Sequence, residues 1–511
     1  MTATATDSPK PLIEPMDAHN RRLVSHVHPP SWENPRAKDR YHLVVLGAGT
    51  AGLVSAAGSA GLGARVAIVE RHLMGGDCLN VGCVPSKGVI GAARAWAAAR
   101  NAQRDFHGPA ATGAGDFGAV MERMRRIRAD LSPIDSASRF RDLGVDVFFG
   151  EGKFTGPDTV EVGGQRLRFR RAVIATGARA AAPPIPGLAS VRYLTNETVF
   201  SLTELPRRLI VIGGGPIGCE MAQSFARFGG AVTLIDIASH VLPREDADAA
   251  AVVQEAMRRD GVRFALDSEI LGVSRRGVEI VLRVRRGDRE DELVGDQLLV
   301  AVGRAPNVQG MGLEAAGVRY ERAGVTVSDT FRSSNPRIYA CGDVCSKFQF
   351  THTADFQARA VIQNAHFFGR KKGSTLVVPW ATYTSPELAH VGHTAASAKA
   401  AGLAVETIDV PLHDVDRARL DGQSEGFARL HVLAGKGTIL GATIVAEHAG
   451  DLISEVTLAM TNGLYLGAIG ATIHPYPTQA DVLRKAADAF NRTRLTPTVK
   501  SIFRTWFKLF S

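Results

Sequence analysis

Cysteine is scarce in this chain. There are five in 511 residues, and none follows Cys345. Cysteine this sparse excludes a disulfide-stapled extracellular scaffold and points to a reducing cytoplasm. No second closely spaced Cys/His pair accompanies Cys78 and Cys83, which argues against structural zinc, and no metal site is expected. Long apolar runs are missing too. No stretch suits a bilayer span, and residues 1–40 hold no apolar run of the secretory kind. Charge is not one-sided: 60 Lys and Arg stand against 51 Asp and Glu, for a net charge of +9. The arginines are scattered rather than striped, so no nucleic-acid partner is expected. The 45% hydrophobic and 22% charged residues describe an ordinary globular protein, and the length is too great for one core. About three domains are expected.

The organising stretch is residues 75–87, Gly-Gly-Asp-Cys-Leu-Asn-Val-Gly-Cys-Val-Pro-Ser-Lys. Cys78 and Cys83 are separated by four residues, and on one continuous helix they would point about 140° apart. Bringing them together requires an irregular backbone between them, which Asn80 and Gly82 suit. Pro85 suits the first turn of a helix running on through 92–99. Cys83 then stands near a helix N-terminus, one turn before Lys87, and both features favour the thiolate. A zinc half-site or two inert buried thiols is the bland reading; redox chemistry is the stronger one.

Two dinucleotide fingerprints flank this stretch. A strand at 41–46 leads into Gly47-Ala48-Gly49-Thr50-Ala51-Gly52, then a helix, a second strand and Glu70. A strand at 208–212 leads into Gly213-Gly214-Gly215-Pro216-Ile217-Gly218, then a helix through Glu220, a strand and Asp236. The step from first glycine to acid is the same in both, 47 to 70 and 213 to 236. Each has the strand–turn–helix–strand–acid context that the fingerprint needs, with a pyrophosphate at the helix N-terminus and the acid on a ribose. Asp236 favours a free 2′-hydroxyl, hence NADH. Arg244, eight residues on, is placed to accept a 2′-phosphate instead.

The cysteine segment closely resembles the active-site segment of the FAD-dependent pyridine nucleotide–disulfide oxidoreductases, which include dihydrolipoamide dehydrogenase, glutathione reductase and mercuric reductase. The resemblance covers about residues 41–490. It implies an α/β fold with two Rossmann-like dinucleotide-binding domains, one for FAD and one for NAD(P)H, and an α+β C-terminal dimerisation domain. The expected division is an extension at 1–40, an FAD domain at 41–190 and 306–375, a nucleotide domain at 191–305, an interface domain at 376–491 and a tail at 492–511. By resemblance Cys78 and Cys83 form a redox-active disulfide, Cys83 beside the flavin and Cys78 meeting the substrate. Lys87 lies near the flavin and pairs with Glu220. Gly76, Asp77, Thr176, Gly177, Gly342, Asp343, Thr351 and His352 join the FAD site, and Gly303 and Arg304 the nicotinamide side. A homodimer with shared active sites is implied. Cys219 and Cys341 are expected as buried packing, and Cys345 as a free thiol.

One departure bears on the acceptor. Where disulfide reductases of this family carry His-Pro-Thr and a following Glu, this chain reads His474-Pro475-Tyr476-Pro477-Thr478-Gln479-Ala480-Asp481. Aligned on Pro-Thr, Tyr476 takes the place of the base and Asp481 that of the Glu, while His474 sits two residues early. A phenol of pKa about 10 is a poor base at neutral pH. The Pro-Tyr pair is more like mercuric reductase, although the C-terminal cysteine pair and N-terminal Cys-x-x-Cys module of that enzyme are missing. The expectation is a mercuric-reductase-like branch acting on Hg(II) or another thiol-bound small-molecule acceptor. The alternatives are a dihydrolipoamide-dehydrogenase-like disulfide reductase and a membrane-docked redox sensor with little turnover.

Three further expectations concern the rest of the chain. Residues 1–38 read as a loose extension with incidental His26 and His28. Arg123, Arg125, Arg126 and Arg128 read as one solvated helix face. In the tail, Val499, Ile502, Phe503, Trp506, Phe507 and Phe510 share a helical face opposite Lys500, Arg504 and Lys508. Docking on the dimer is the favoured reading there. A peripheral contact of residues 496–511 with the inner face of a membrane is the other.

Overall fold

A computed structural model describes residues 13–113, 115–367 and 369–510. Its first layer grows from the strand Tyr41–Leu46, buried at five of six positions, as a central parallel strand must be. It pairs in parallel with Val66–Glu70 on one side and with Gln165–Ile174 on the other. The sheet continues outward to Val145–Phe149 at one edge and to Thr159–Val162 and Lys153–Gly156 at the other. A late strand, Ile338–Ala340, returns to pair with Gln165–Ile174. That return brings the helix Thr351–His366 against the helix Thr50–Gly61.

A second parallel sheet runs Arg263–Ala265, Ala231–Ile235, Arg208–Ile212, Gln297–Val300. Beside it lies an antiparallel sheet of Glu269–Arg276, Glu279–Arg286 and Arg289–Gly295. The third unit is a five-stranded antiparallel sheet, Pro379–Thr382, Glu387–Gly392, Ile439–Ala446, Phe427–Leu433, Val405–Pro411, with Asp481–Thr493 and Ala449–Thr461 among its helices. One element touches all three units. Val89, Ile90 and Ala93 of the helix Cys83–Phe106 cluster with Met221, Phe225 and Phe228 of the second unit and with Leu388 and Val445 of the third. Among the described residues no helix is long and apolar enough to cross a membrane.

The extension is not loose where it is described. Asp17 caps the helix Ala18–Val27 by accepting from the Asn20 N–H at 2.8 Å. Leu23 and Val27 are fully buried with Leu43, Ile68 and Phe140. His26 meets Ser132 at 2.7 Å, and the His28 ring stacks on Phe149. Residues 1–12 lie outside the described part.

The arginine face is corrected by the same helix. Arg123 is exposed, but Arg125 and Arg128 are 6% and 1% exposed. Arg125 donates to Asp17 at 2.6 Å, and Arg128 to the Asn20 side chain at 2.7 Å. An unpaired buried guanidinium is costly, so the extension supplies the partners that make this burial tolerable.

Candidate functional site

The cysteine stretch is positioned by a broken helix. Residues Gly76–Asn80 make a short helix, the backbone turns at Val81 and Gly82, and Cys83 opens the helix Cys83–Phe106. The loop crosses the first glycine turn at close range. A Cβ on Gly76, whose φ is +57°, would lie 2.6 Å from the Gly49 Cα. Glycine at position 76 is therefore what lets the thiol loop touch the nucleotide turn.

Cys78 and Cys83 are free thiols that hydrogen-bond each other. The Cys83 Sγ also lies 3.3 Å from the Thr351 Oγ1, at the start of the returning helix. One turn beyond, the Lys87 Nζ donates to the Glu220 Oε2 at 3.0 Å. The same ammonium sits 4.2 Å above the Tyr383 ring, and the Tyr383 N–H donates to the other Glu220 oxygen at 3.0 Å. The Cys83 thiol is lowered to about 6, by the Cys78 hydrogen bond first, then by Thr351 and the Lys87 charge, against burial and Glu220. Cys78 is pushed up because it is the donor in that bond, and further by its partial burial. The pair is thus polarised, with the thiolate on Cys83.

The two fingerprints repeat each other atom for atom. The Glu70 carboxylate accepts from Ala48 N at 2.7 Å and from His72 N at 2.8 Å. Asp236 accepts from Gly214 N at 2.5 Å and from Ala238 N at 2.8 Å. Burial raises the Glu70 carboxyl above its usual range. In each copy the acid ties the glycine turn to the end of the second strand. Helices begin at Thr50 and Pro216, with their free N–H groups facing one continuous cleft.

That cleft has a volume of about 1870 Å³ and is lined by both turns, both thiols, Lys87, Glu220, Thr176, Gly177, Gly303, Gly342 and Asp343. An ordinary small-ligand pocket reaches about 1,000 Å³, so the space suits two dinucleotides. The residues fit such groups. A side chain at Gly215 would meet nothing within 4 Å, so the backbone there is open to a pyrophosphate. Arg304, expected on the nicotinamide side, is seated between Asp77 and Asp343, the acids expected for FAD, and donates to the Ala178 carbonyl at 2.9 Å. His352 turns to the Pro379 carbonyl at 2.8 Å and stacks on Phe350.

The C-terminal candidates are not brought to the thiols of their own chain, and none of them lines the cleft. The His474 Nε2 is held by Glu455 at 3.0 Å and its Nδ1 by the Thr472 carbonyl at 2.9 Å. Exposed Tyr476 donates to Asp416 at 3.0 Å, and that carboxylate raises the phenol further. Asp481, in the place of the Glu that orients the base, instead accepts from Arg484 at 2.7 Å.

Tyr383 and Trp380 are cleft residues that the sequence reading did not assign. The Trp380 indole N–H donates to Glu245 at 2.7 Å, and its ring faces Phe350 at 6.4 Å. Trp380 and Tyr383 lie just inside the expected start of the interface domain at 376, where no local motif marks them as cleft residues.

The pyridine nucleotide-disulphide oxidoreductase family matches residues 41–358, and the dimerisation domain of that family matches residues 378–487. A mercuric reductase from Staphylococcus aureus is 34% identical over 454 residues, covering 88% of this chain and 83% of that protein. A dihydrolipoyl dehydrogenase from Thermus scotoductus is 32% identical over 463 residues, covering 88% and 98%. Among solved structures, the Cu(II) complex of the HOCl-induced flavoprotein disulfide reductase RclA from Escherichia coli superposes with a TM-score of 0.80 at 27% identity, over 88% of this chain and all of that one. With the family model and its dimerisation domain together spanning most of residues 41–487, this chain belongs to the FAD- and pyridine nucleotide-dependent disulphide oxidoreductases.

Proposed function

We propose that the chain oxidises NADH and delivers the two electrons through Cys78 and Cys83 to a thiol-bound metal ion, with Hg(II) as the reference acceptor. The reaction balances as NADH and Hg(II) giving NAD⁺, a proton and Hg(0). The observation that carries this reading is the Cys78–Cys83–Thr351 contact in the same cleft as both glycine turns. FAD, when bound along residues 47–52, supplies the two-electron relay between nicotinamide and thiols. Lys87, fixed by Glu220 and Tyr383, keeps a positive charge beside the relay. Cys83 holds the thiolate, and Cys78 carries the proton.

A metal acceptor is favoured over a disulfide because the imidazole nearest the expected base position, His474, is already held on both nitrogens. Thiolates suit soft metals and need no base for them. The Cu(II) complex formed by RclA points the same way. The relatives divide between mercuric reductase and dihydrolipoyl dehydrogenase, so a lipoamide-type acceptor is the competing reading. Asp236 on the second turn supports NADH over NADPH, since a 2′-phosphate there would meet a carboxylate. The dimerisation domain supports a homodimer in which Tyr476 faces the partner's thiols.

The test is anaerobic titration of the FAD-loaded protein with NADH, followed spectrally, then Hg(II) in excess thiol or lipoamide. A long-wavelength band on two-electron reduction, absent in Cys83→Ser, is expected, with reoxidation by Hg(II). Reoxidation by lipoamide alone overturns the metal assignment. A missing band overturns the thiol route.

A further inference from the structure

We propose that the helix Pro497–Leu509 is a peripheral anchor that lays the protein on an anionic lipid bilayer. At about 100° per residue, Ile502, Phe503, Trp506, Phe507, Leu509 and Phe510 fill an arc of about 160°. Lys500, Arg504 and Lys508 occupy a separate arc of about 80°. No residue of the helix is buried, and Ile502, Phe507 and Phe510 are 61%, 66% and 70% exposed. The Phe503 and Phe507 rings stack at 6.4 Å and the Trp506 and Phe510 rings meet, tilted, at 4.2 Å, so the apolar side is one continuous ridge. Thr496 caps the helix and Pro497 opens it, so its start is set by local chemistry rather than by packing.

Charge decides the occupant. Residues 489–511 hold Arg492, Arg494, Lys500, Arg504 and Lys508 and no Asp or Glu. A run of one sign beside a Trp- and Phe-rich ridge complements anionic headgroups over an acyl boundary. A thirteen-residue helix is marginal alone in water, and a bilayer surface supplies the apolar contact that it lacks. The family's dimerisation domain ends at residue 487, before the helix begins, so the shared dimer contact does not account for it.

The experiment is co-sedimentation of the full-length, FAD-loaded protein with vesicles of phosphatidylcholine, alone or mixed with phosphatidylglycerol. Binding to the mixed vesicles, weakened by salt, is expected. Replacing Lys500, Arg504 and Lys508 with Gln should weaken it about a hundredfold, at roughly fivefold per cation. Replacing Phe503, Trp506 and Phe507 with Ser should abolish it. NADH oxidation without vesicles should be unchanged in both variants. Failure to bind the mixed vesicles, or equal binding to phosphatidylcholine alone, overturns the proposal. So does a Trp506 emission, read as wild type minus Trp506→Phe, that is already blue-shifted without lipid, because a second copy then covers the helix.

Discussion

At the scale of single residues, the site works by making two similar thiols unequal. Cys83 is lowered to about 6, so its thiolate predominates above that pH and is lost tenfold per unit below it. In the NADH-reduced protein, alkylation of Cys83 should follow that curve, with Cys78 reacting at higher pH, as read by peptide mass spectrometry. Cys78→Ala removes the hydrogen-bond donor and should move the Cys83 midpoint upward. Equal reactivity of both thiols at pH 7 would contradict the assignment. Tyr383 carries a different burden. Its ring, not its hydroxyl, faces Lys87. Tyr383→Phe should preserve the flavin reduction rate within about twofold. Tyr383→Leu should lose the ring contact, worth about 0.5–1 kcal/mol, and slow that step, as stopped-flow reduction by NADH would measure.

At the scale of elements, the cysteine loop is braced by a helix that the family match does not include. Arg128 donates to the Asn80 carbonyl, between the two cysteines, at 2.6 Å and to Asn20 of the helix Ala18–Val27. Arg128→Met leaves both acceptors buried and unpaired. It should cost about 2–3 kcal/mol in denaturant unfolding and raise amide exchange at residues 76–82. Unchanged exchange there would mean that the brace is only packing.

This element also marks where the sequence was legible. The fingerprints at 47–52 and 213–218 were readable because glycine spacing between a strand, a helix and an acid admits few solutions, whereas the Lys87–Glu220 pair came only through the family resemblance. Buried Arg125 and Arg128 were not, since charge pattern alone reads as solvent and their partners lie about 108 residues away. Yet Asn20, Leu23, Val24 and Val27 recur at i, i+3, i+4 and i+7, the stripe of a packed helix. Tyr383 was hidden for another reason: its role depends on how the third unit meets the second, which no local pattern encodes.

At the scale of the whole molecule, the proposed function draws the acceptor side of the site from a second copy. Within one chain Tyr476 points to Asp416, away from the cleft. Tyr476→Phe should therefore leave NADH reduction of the flavin unchanged and lower acceptor turnover by up to about tenfold, the scale of one lost hydrogen bond. Mixed dimers test the sharing. Combining a Cys83→Ser chain with a Tyr476→Phe chain should restore one working site per dimer, in which intact thiols meet an intact Tyr476. No recovery beyond that of the parents would show that each chain serves itself.

The helix Cys83–Phe106, in contact with residues of all three units, has a consequence for engineering and for descent. The units look like interchangeable modules along the chain, but no cut between them leaves this helix with its surroundings intact. Grafting a relative's interface sheet should fail unless residues 83–106 and the helix Pro216–Arg227 are transplanted with it. Change in acceptor preference should accordingly accumulate in loops such as residues 472–480, while the three units are inherited together.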